Sequence, residues 1–304
     1  MIVSDPDRFL AEFSAARHPM RGPATARGAF LVCPASAALA AESAQDNRYM
    51  DLARVPDPAR ALQQHAELAR RLGADVPVVM FPGDPDSPDG MFPNNVFATT
   101  RGQLIVGCMR HPVRRREAAR ADIRGFFRDV LGYRETDLSG GDFVAELTGA
   151  LVIDRARGIG YCGLSERCDM QGARAMHAAF GLRLTFAFDL APGEYHTNVV
   201  LAVLAGRAAL LAADGFADAR VAQAIAQAYA GNAVFLSPAQ KQAFAGNAIA
   251  LGPERAWMSA RAADALDSSQ RALLARSGFA IGAVELDETE KAGGSLRCCV
   301  AEIF

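Results

Sequence analysis

Val199-Val200-Leu201-Ala202-Val203-Leu204-Ala205-Gly206-Arg207-Ala208-Ala209-Leu210-Leu211-Ala212-Ala213 is the longest apolar stretch of the chain, and Gly206-Arg207 breaks it near its middle. Two apolar runs joined by turn residues read as a hairpin of buried strands, not as a membrane span. A helical pattern follows at 218–229. The same order of hairpin, helix and further strand recurs at intervals of several tens of residues, without clear sequence identity. Strands are expected at 29–33, 78–80, 95–99, 104–107, 150–153, 158–162, 185–188, 199–204, 209–211, 248–251, 279–284 and 296–303. Helices are expected at 59–72, 114–131, 170–180, 218–229, 238–245 and 268–277, with alanine-rich helix formers also at 37–41. Thr100-Arg101-Gly102 and 154–158 supply further hairpin turns. Repeated units of this size point to an α/β protein of radial or stacked architecture. No linker divides the chain, so one domain is expected over 1–304, with its ordered core from about residue 29.

Of the 304 residues 51% are hydrophobic, and the formal net charge is −2. A sizeable core can form, while no basic stripe or amphipathic basic helix points to nucleic acid or a membrane surface. The run Arg114-Arg115-Arg116 is short and is followed by Glu117, so Arg114 reads first as a solvated helix charge. The opening Met1-Ile2-Val3-Ser4-Asp5-Pro6-Asp7-Arg8 is too polar for a secretory signal. The expectation is a soluble, cytoplasmic protein. Six cysteines match no zinc template and no disulfide framework, so no metal is expected and most thiols read as small buried hydrophobes.

The tail Lys291-Ala292-Gly293-Gly294-Ser295-Leu296-Arg297-Cys298-Cys299 runs into Val300-Ala301-Glu302-Ile303-Phe304. Glycines let the backbone approach a ligand closely, and the apolar run after them is expected to hold Cys298 on a strand. A thiol at the mouth of a pocket reads as a nucleophile, which needs a base and an orienting acid. His196, in Tyr195-His196-Thr197-Asn198, is the candidate base. Glu146, in Ala145-Glu146-Leu147-Thr148-Gly149, is the candidate acid, with Asp142 of Ser139-Gly140-Gly141-Asp142 as the alternative. Asp89 lies in a proline- and aspartate-rich loop that leads to Phe92-Pro93-Asn94-Asn95. Arg167 precedes a helix. Cys299 alternates away from its neighbour and reads as packing. His18, His65, His111, His177 and Cys108 read as structural or surface residues.

Together the Phe-Pro-Asn-Asn segment, the Tyr-His-Thr-Asn segment and the Arg-Cys tail ending in Ala-Glu-Ile-Phe resemble the guanidine-modifying enzymes, the pentein or amidinotransferase superfamily. The likeness is nearest to arginine-deiminase-related citrulline-utilisation hydrolases and runs from about Ala29 to the C-terminus. It implies a five-bladed α/β propeller of ββαβ units with the site on its central axis, and no cofactor. It also implies a covalent mechanism on a small-molecule guanidino or ureido amino acid. Cys298 would attack the central carbon, and His196 would protonate the departing nitrogen and then activate water. Glu146 and Asp89 would hold substrate N–H groups, alongside Asn94, Asn95 and Asn198. Arg167, and Arg114 less strongly, would receive the substrate carboxylate. Asn95 stands where dimethylargininases carry aspartate, and Asn198 where arginine deiminases do. Two lost charges lead to the expectation that a ureido or less demanding guanidino compound is preferred. An amidinotransferase and a non-catalytic binding protein are the rival readings, and a homodimer is left open.

Overall fold

The stretch around Gly206 folds as two antiparallel strands, Leu201–Leu204 and Ala208–Ala212, with Leu201 opposite Leu211 and Leu204 opposite Ala208. Ala205 and Gly206 turn the chain at φ 47° and 67°, the left-handed region that glycine enters without steric cost. Every residue of Ala208–Ala212 is buried. Strand Ala233–Leu236 pairs parallel along its free edge, and helix Ala219–Ala228, started by the side chain of Asp218, packs on it. A strand covered in this way reads as a continuous apolar run.

A computed structural model of the chain describes every residue from Met1 to Phe304 except Arg17, Ser36 and Ala37. Among the described residues the strands form five separate sheets, and the hairpin-plus-parallel-strand pattern repeats in four of them. Leu151–Asp154 pairs antiparallel with Ile159–Leu164, which pairs parallel with Leu184–Asp189; Ile2–Val3 adds to the outer edge. Phe97–Thr100, Gln103–Val106 and Arg134–Asp137 repeat the pattern. So do Ala301–Ile303, Gly28–Val32 and Val78–Phe81, where the end of the chain pairs with a strand near its beginning. In the fifth sheet Arg255–Ser259 and Ala280–Val284 are parallel, and the first strand shrinks to one bridge, Ile249 opposite Trp257. The architecture is α/β.

The main departure from expectation recurs at the start of each hairpin. The run 296–303 is not one strand: Leu296–Cys299 is a helical turn, and only Ala301–Ile303 is extended. The runs 199–204, 150–153 and 95–99 likewise begin in short turns, Thr197–Val200, Leu147–Ala150 and the 3-10 turn Pro93–Asn95. Each turn is closed by a backbone bond three residues long: Cys298 to Ser295, Val199 to His196, Gly149 to Glu146, and Val96 to Pro93. Apolar pattern alone cannot tell such a buried turn from a strand. The turn Pro93–Asn95 packs against both Leu147–Ala150 and Leu296–Cys299, and Leu147–Ala150 packs against Thr197–Val200.

Other differences are local. The helix expected at 114–131 breaks at Arg120 into Pro112–Ala118, Ala121–Gly125 and a π-turn Phe126–Val130. The strand expected at 248–251 is reduced to the Ile249 bridge. Of the alanine-rich segment at 37–41, Ala37 lies outside the described residues and 38–41 form no helix. Helix Pro6–Ala15 and strands Arg134–Asp137, Ala233–Leu236 and Arg255–Ser259 were not expected. Among the described residues no helix is long and apolar enough to cross a membrane.

Candidate active site

Two of the short turns, Pro93–Asn95 and Leu296–Cys299, put Asn95 and Cys298 into a common cleft of about 260 Å³, whose walls also include Asp89, Arg114, Arg167 and Tyr195. A larger concavity of about 1110 Å³ lies beside Arg155, Phe180 and Phe304 but holds no nucleophile or base.

Glu146 is wholly buried, and its carboxylate is satisfied entirely by protein. Oε2 lies 2.9 Å from His196 Nε2, Oε1 accepts the Arg110 backbone N–H at 3.2 Å, and Arg167 Nη1 donates at 3.2 Å. Burial alone would raise this carboxyl, but Arg167 and the imidazole hold it well below the usual carboxylate range. An ionised Glu146 makes His196 Nε2 the protonated nitrogen and leaves Nδ1 as a base. His196 Nδ1 has no partner among the described residues. Burial lowers the His196 pKa, against the pull of Glu146, so the ring is neutral near pH 7. Asp142, the alternative acid, is exposed and makes no bond to His196. Leu147, directly after Glu146, is held at φ 24°, a strained conformation of the kind that clusters at functional sites.

Cys298 is wholly buried on the C-terminal turn. Burial pushes its thiol up, and a backbone bond at Ser295 and the Asn247 amide recover only part of that shift. Its sulfur lies 3.9 Å from Asn198 Oδ1, two residues beyond His196. The rate of Cys298 alkylation by iodoacetamide should therefore still be climbing at pH 9, because the ligand-free thiol is protonated below that pH. Peptide mapping of the modified cysteine across a pH series checks this.

Asp89 is buried, with Oδ2 bound by the Ser43 hydroxyl and Oδ1 unpartnered. Burial raises its pKa, while Arg114 and Ser43 work the other way. Both polar side-chain atoms of Asn94, Asn95 Oδ1 and Asn198 Nδ2 also lack partners among the described residues. Buried polar groups are costly to leave unpaired, so these atoms are available to hydrogen-bond a ligand or water.

The two arginines differ from expectation. Arg114 is not a solvated helix charge. It is buried, with Nε and Nη2 on Glu117 at 3.0 and 2.8 Å and Nη2 on the Phe92 carbonyl at 3.1 Å. Burial disfavours its charge, but Glu117 and Asp89 more than offset this. Its Nη1 makes no hydrogen bond within the described residues. Arg167, expected to face a ligand carboxylate, instead gives Nε and Nη2 to Asp46, Nη2 also to the Ser43 carbonyl, and Nη1 to Glu146. It braces the acid that orients His196. Sequence reading missed Asp46, Glu117 and Asn247. Glu117, three residues beyond Arg114 on a helix face, was the one findable from spacing.

Gly149 explains how the imidazole fits. A Cβ there would lie 2.6 Å from Asn95 Oδ1 and 2.8 and 2.9 Å from His196 Cε1 and Nδ1. Gly149→Ala should lower kcat roughly a hundredfold by displacing the ring, with the fold retained. Steady-state kinetics beside a thermal melt test it.

The family model described as N,N dimethylarginine dimethylhydrolase, eukaryotic, matches residues 33–304. Among curated proteins none matches the sequence. Several solved structures share the fold. The N-terminal domain of a substrate-bound mutant of ArgZ, an arginine dihydrolase from the ornithine–ammonia cycle in cyanobacteria, superposes with a TM-score of 0.78 at 18% identity, covering 91% of this chain and 97% of that one. A dimethylarginine dimethylaminohydrolase adduct with 4-chloro-2-hydroxymethylpyridine gives 0.70 at 22% identity, covering 91% and 100%. Unliganded AgrE gives 0.78 at 19%, with this chain spanning 39% of that longer protein. With the family model covering nearly the whole sequence, the chain belongs to the N,N-dimethylarginine dimethylhydrolase family, among the guanidine-modifying pentein enzymes that its motifs resemble.

Proposed function

We propose that the protein is a cysteine-dependent hydrolase of a guanidino amino acid, arginine or an N-methylated arginine. The observation that carries this reading is one cleft shared by Cys298 and the unpartnered carboxylate oxygen of Asp89, beside the His196–Glu146–Arg167 chain. Asp89 accepts guanidinium N–H groups with charge-assisted bonds. Its burial favours a cation over a neutral ureido group, which counts against the preference expected from Asn95 and Asn198. Asn95 adds a polar group to the same lining, and Asn198 lies 3.9 Å from the Cys298 sulfur through its Oδ1. The free Nη1 of Arg114 is the better candidate for the substrate carboxylate, because Arg167 is committed to Asp46 and Glu146.

The reaction proceeds in two halves. The substrate cation draws the Cys298 proton off to His196 Nδ1, and sulfur forms a bond to the guanidinium carbon. The imidazolium returns the proton to the departing amine as the C–N bond breaks, leaving a thiouronium. His196 then takes a proton from water, the resulting hydroxide attacks the same carbon, and the C–S bond breaks to regenerate the thiol and release a ureido product. General acid–base help of this kind is worth about 10²–10⁴ in rate. The same reading takes the five sheets as blades of a five-bladed α/β propeller in one catalytic domain over 1–304. The repeated strand pattern and the mutually packed turns support it. Six free cysteines suit a reducing, cytoplasmic setting.

Incubation with asymmetric dimethylarginine, monomethylarginine, arginine and citrulline, followed by assay of amine, ammonia and ureido product, tests the assignment. Release of amine or ammonia from a guanidino compound without an acceptor amine is the expected result. Turnover of citrulline alone, or product formation only when an acceptor amine is added, would overturn it.

A further inference from the structure

Asn247 is wholly buried, and two backbone groups fix the orientation of its amide. Oδ1 accepts the Arg297 N–H at 3.0 Å, so the oxygen must face the C-terminal turn. Nδ2 then donates to the Asn198 carbonyl at 2.8 Å and reaches Cys298 Sγ at 3.3 Å. An amide nitrogen only donates, so the sulfur accepts in this contact. One side chain thus ties together the turn after His196 and the turn that carries Cys298.

The local backbone is shaped for that task. Phe244 sits at φ 61°, and a Cβ on Gly246 would lie 2.3 Å from the Val199 carbonyl, so this bend can press against Thr197–Val200 only with glycine there. Asn247 precedes the Ile249 bridge that stands in for the missing first strand of the fifth sheet. In the other four sheets the residues leading into the first strand include Asn95, Glu146, His196 and Cys298. The fifth unit contributes its polar residue from the corresponding place.

We propose that Asn247 is a catalytic residue: its amide N–H stabilises the Cys298 thiolate as it forms and holds the sulfur in register with the His196 turn. This rests on Cys298 being the nucleophile. His196 carries the transferred proton only during turnover and is neutral in the ligand-free enzyme, and the other charged groups nearby do not supply the same contact. Arg297 directs its guanidinium to Glu302 and the Val300 carbonyl, Arg114 is paired with Glu117, and Arg167 with Asp46 and Glu146. Tyr195 and Cys299 bring no positive charge, and Asp89 disfavours a thiolate.

Iodoacetamide alkylation of Cys298, followed by mass spectrometry at fixed pH, reads the thiolate directly and needs no substrate. Asn247→Leu removes the donor. Asn247→Asp keeps the acceptor for the Arg297 N–H but replaces the donor by a carboxylate oxygen. Both should slow alkylation about tenfold or more and move its pH dependence upward by about one unit, with Asn247→Asp the slower. Asn247→Asp, of nearly the same shape, carries the test if Asn247→Leu does not fold. Wild-type alkylation rates in a folded Asn247→Asp variant would overturn the proposal. Full turnover by Cys298→Ser would instead remove the underlying assignment of the nucleophile, so the two failures are told apart.

Discussion

Cys298→Ser lowers kcat on any guanidino substrate by at least about a thousandfold, while the melting temperature and substrate binding stay close to wild type. The substitution exchanges sulfur for oxygen in a buried, well-packed position, so packing is nearly preserved. A serine hydroxyl is far less acidic and far less nucleophilic toward a resonance-stabilised cation. The binding groups, Asp89, Arg114 and the asparagines, are untouched. The loss therefore appears in kcat and not in KM. Cys299 cannot rescue the variant: it is buried, and its thiol is pushed well above the usual range by burial and by Cys298 beside it. Steady-state kinetics and isothermal titration with the substrate check both halves of this expectation.

Glu146→Gln carries the second largest effect, a fall in kcat of roughly 10²–10⁴. The amide fills the same volume but loses the charge that fixes the tautomer of His196 and stabilises its imidazolium. Arg167 keeps Asp46, so no arginine is left without a carboxylate partner. In the wild type, Glu146 is ionised well below the ordinary carboxylate range. Its contribution to stability is complete above the unfolded carboxyl value of about 4.5 and is lost as pH falls through the lower folded value. Glu146→Gln should therefore flatten the acid limb of a denaturation curve measured against pH, besides slowing turnover. An unchanged kcat would show that His196 does not depend on this carboxylate.

The fold was legible where burial and turn chemistry agree. The run around Gly206 gave both strands of its hairpin, and Asp57, Asp169 and Asp218 each cap a helix that periodicity had placed. It was illegible where a buried turn is as apolar as the strand it feeds, as at Leu296–Cys299 and Thr197–Val200. Those turns, rather than strands, present Cys298 and Asn198. Motif segments brought out Cys298, His196, Glu146 and Asp89 because their local sequences are distinctive. Asp46 and Asn247 stand in segments without such marks, and only the folded chain brings them to Arg167 and to the sulfur. Charge reading failed for Arg114 because a run of three arginines looks solvated, whereas the helix turns its first member inward onto Glu117.

Acid quench of the enzyme during turnover, followed by intact mass and peptide mapping, tests the covalent mechanism most directly. The expected result is an adduct whose mass equals the substrate less the amine or ammonia released, on the peptide that carries Cys298 and absent from Cys298→Ser. Turnover with no adduct at any quench time, or an adduct mapped to another residue, would contradict it.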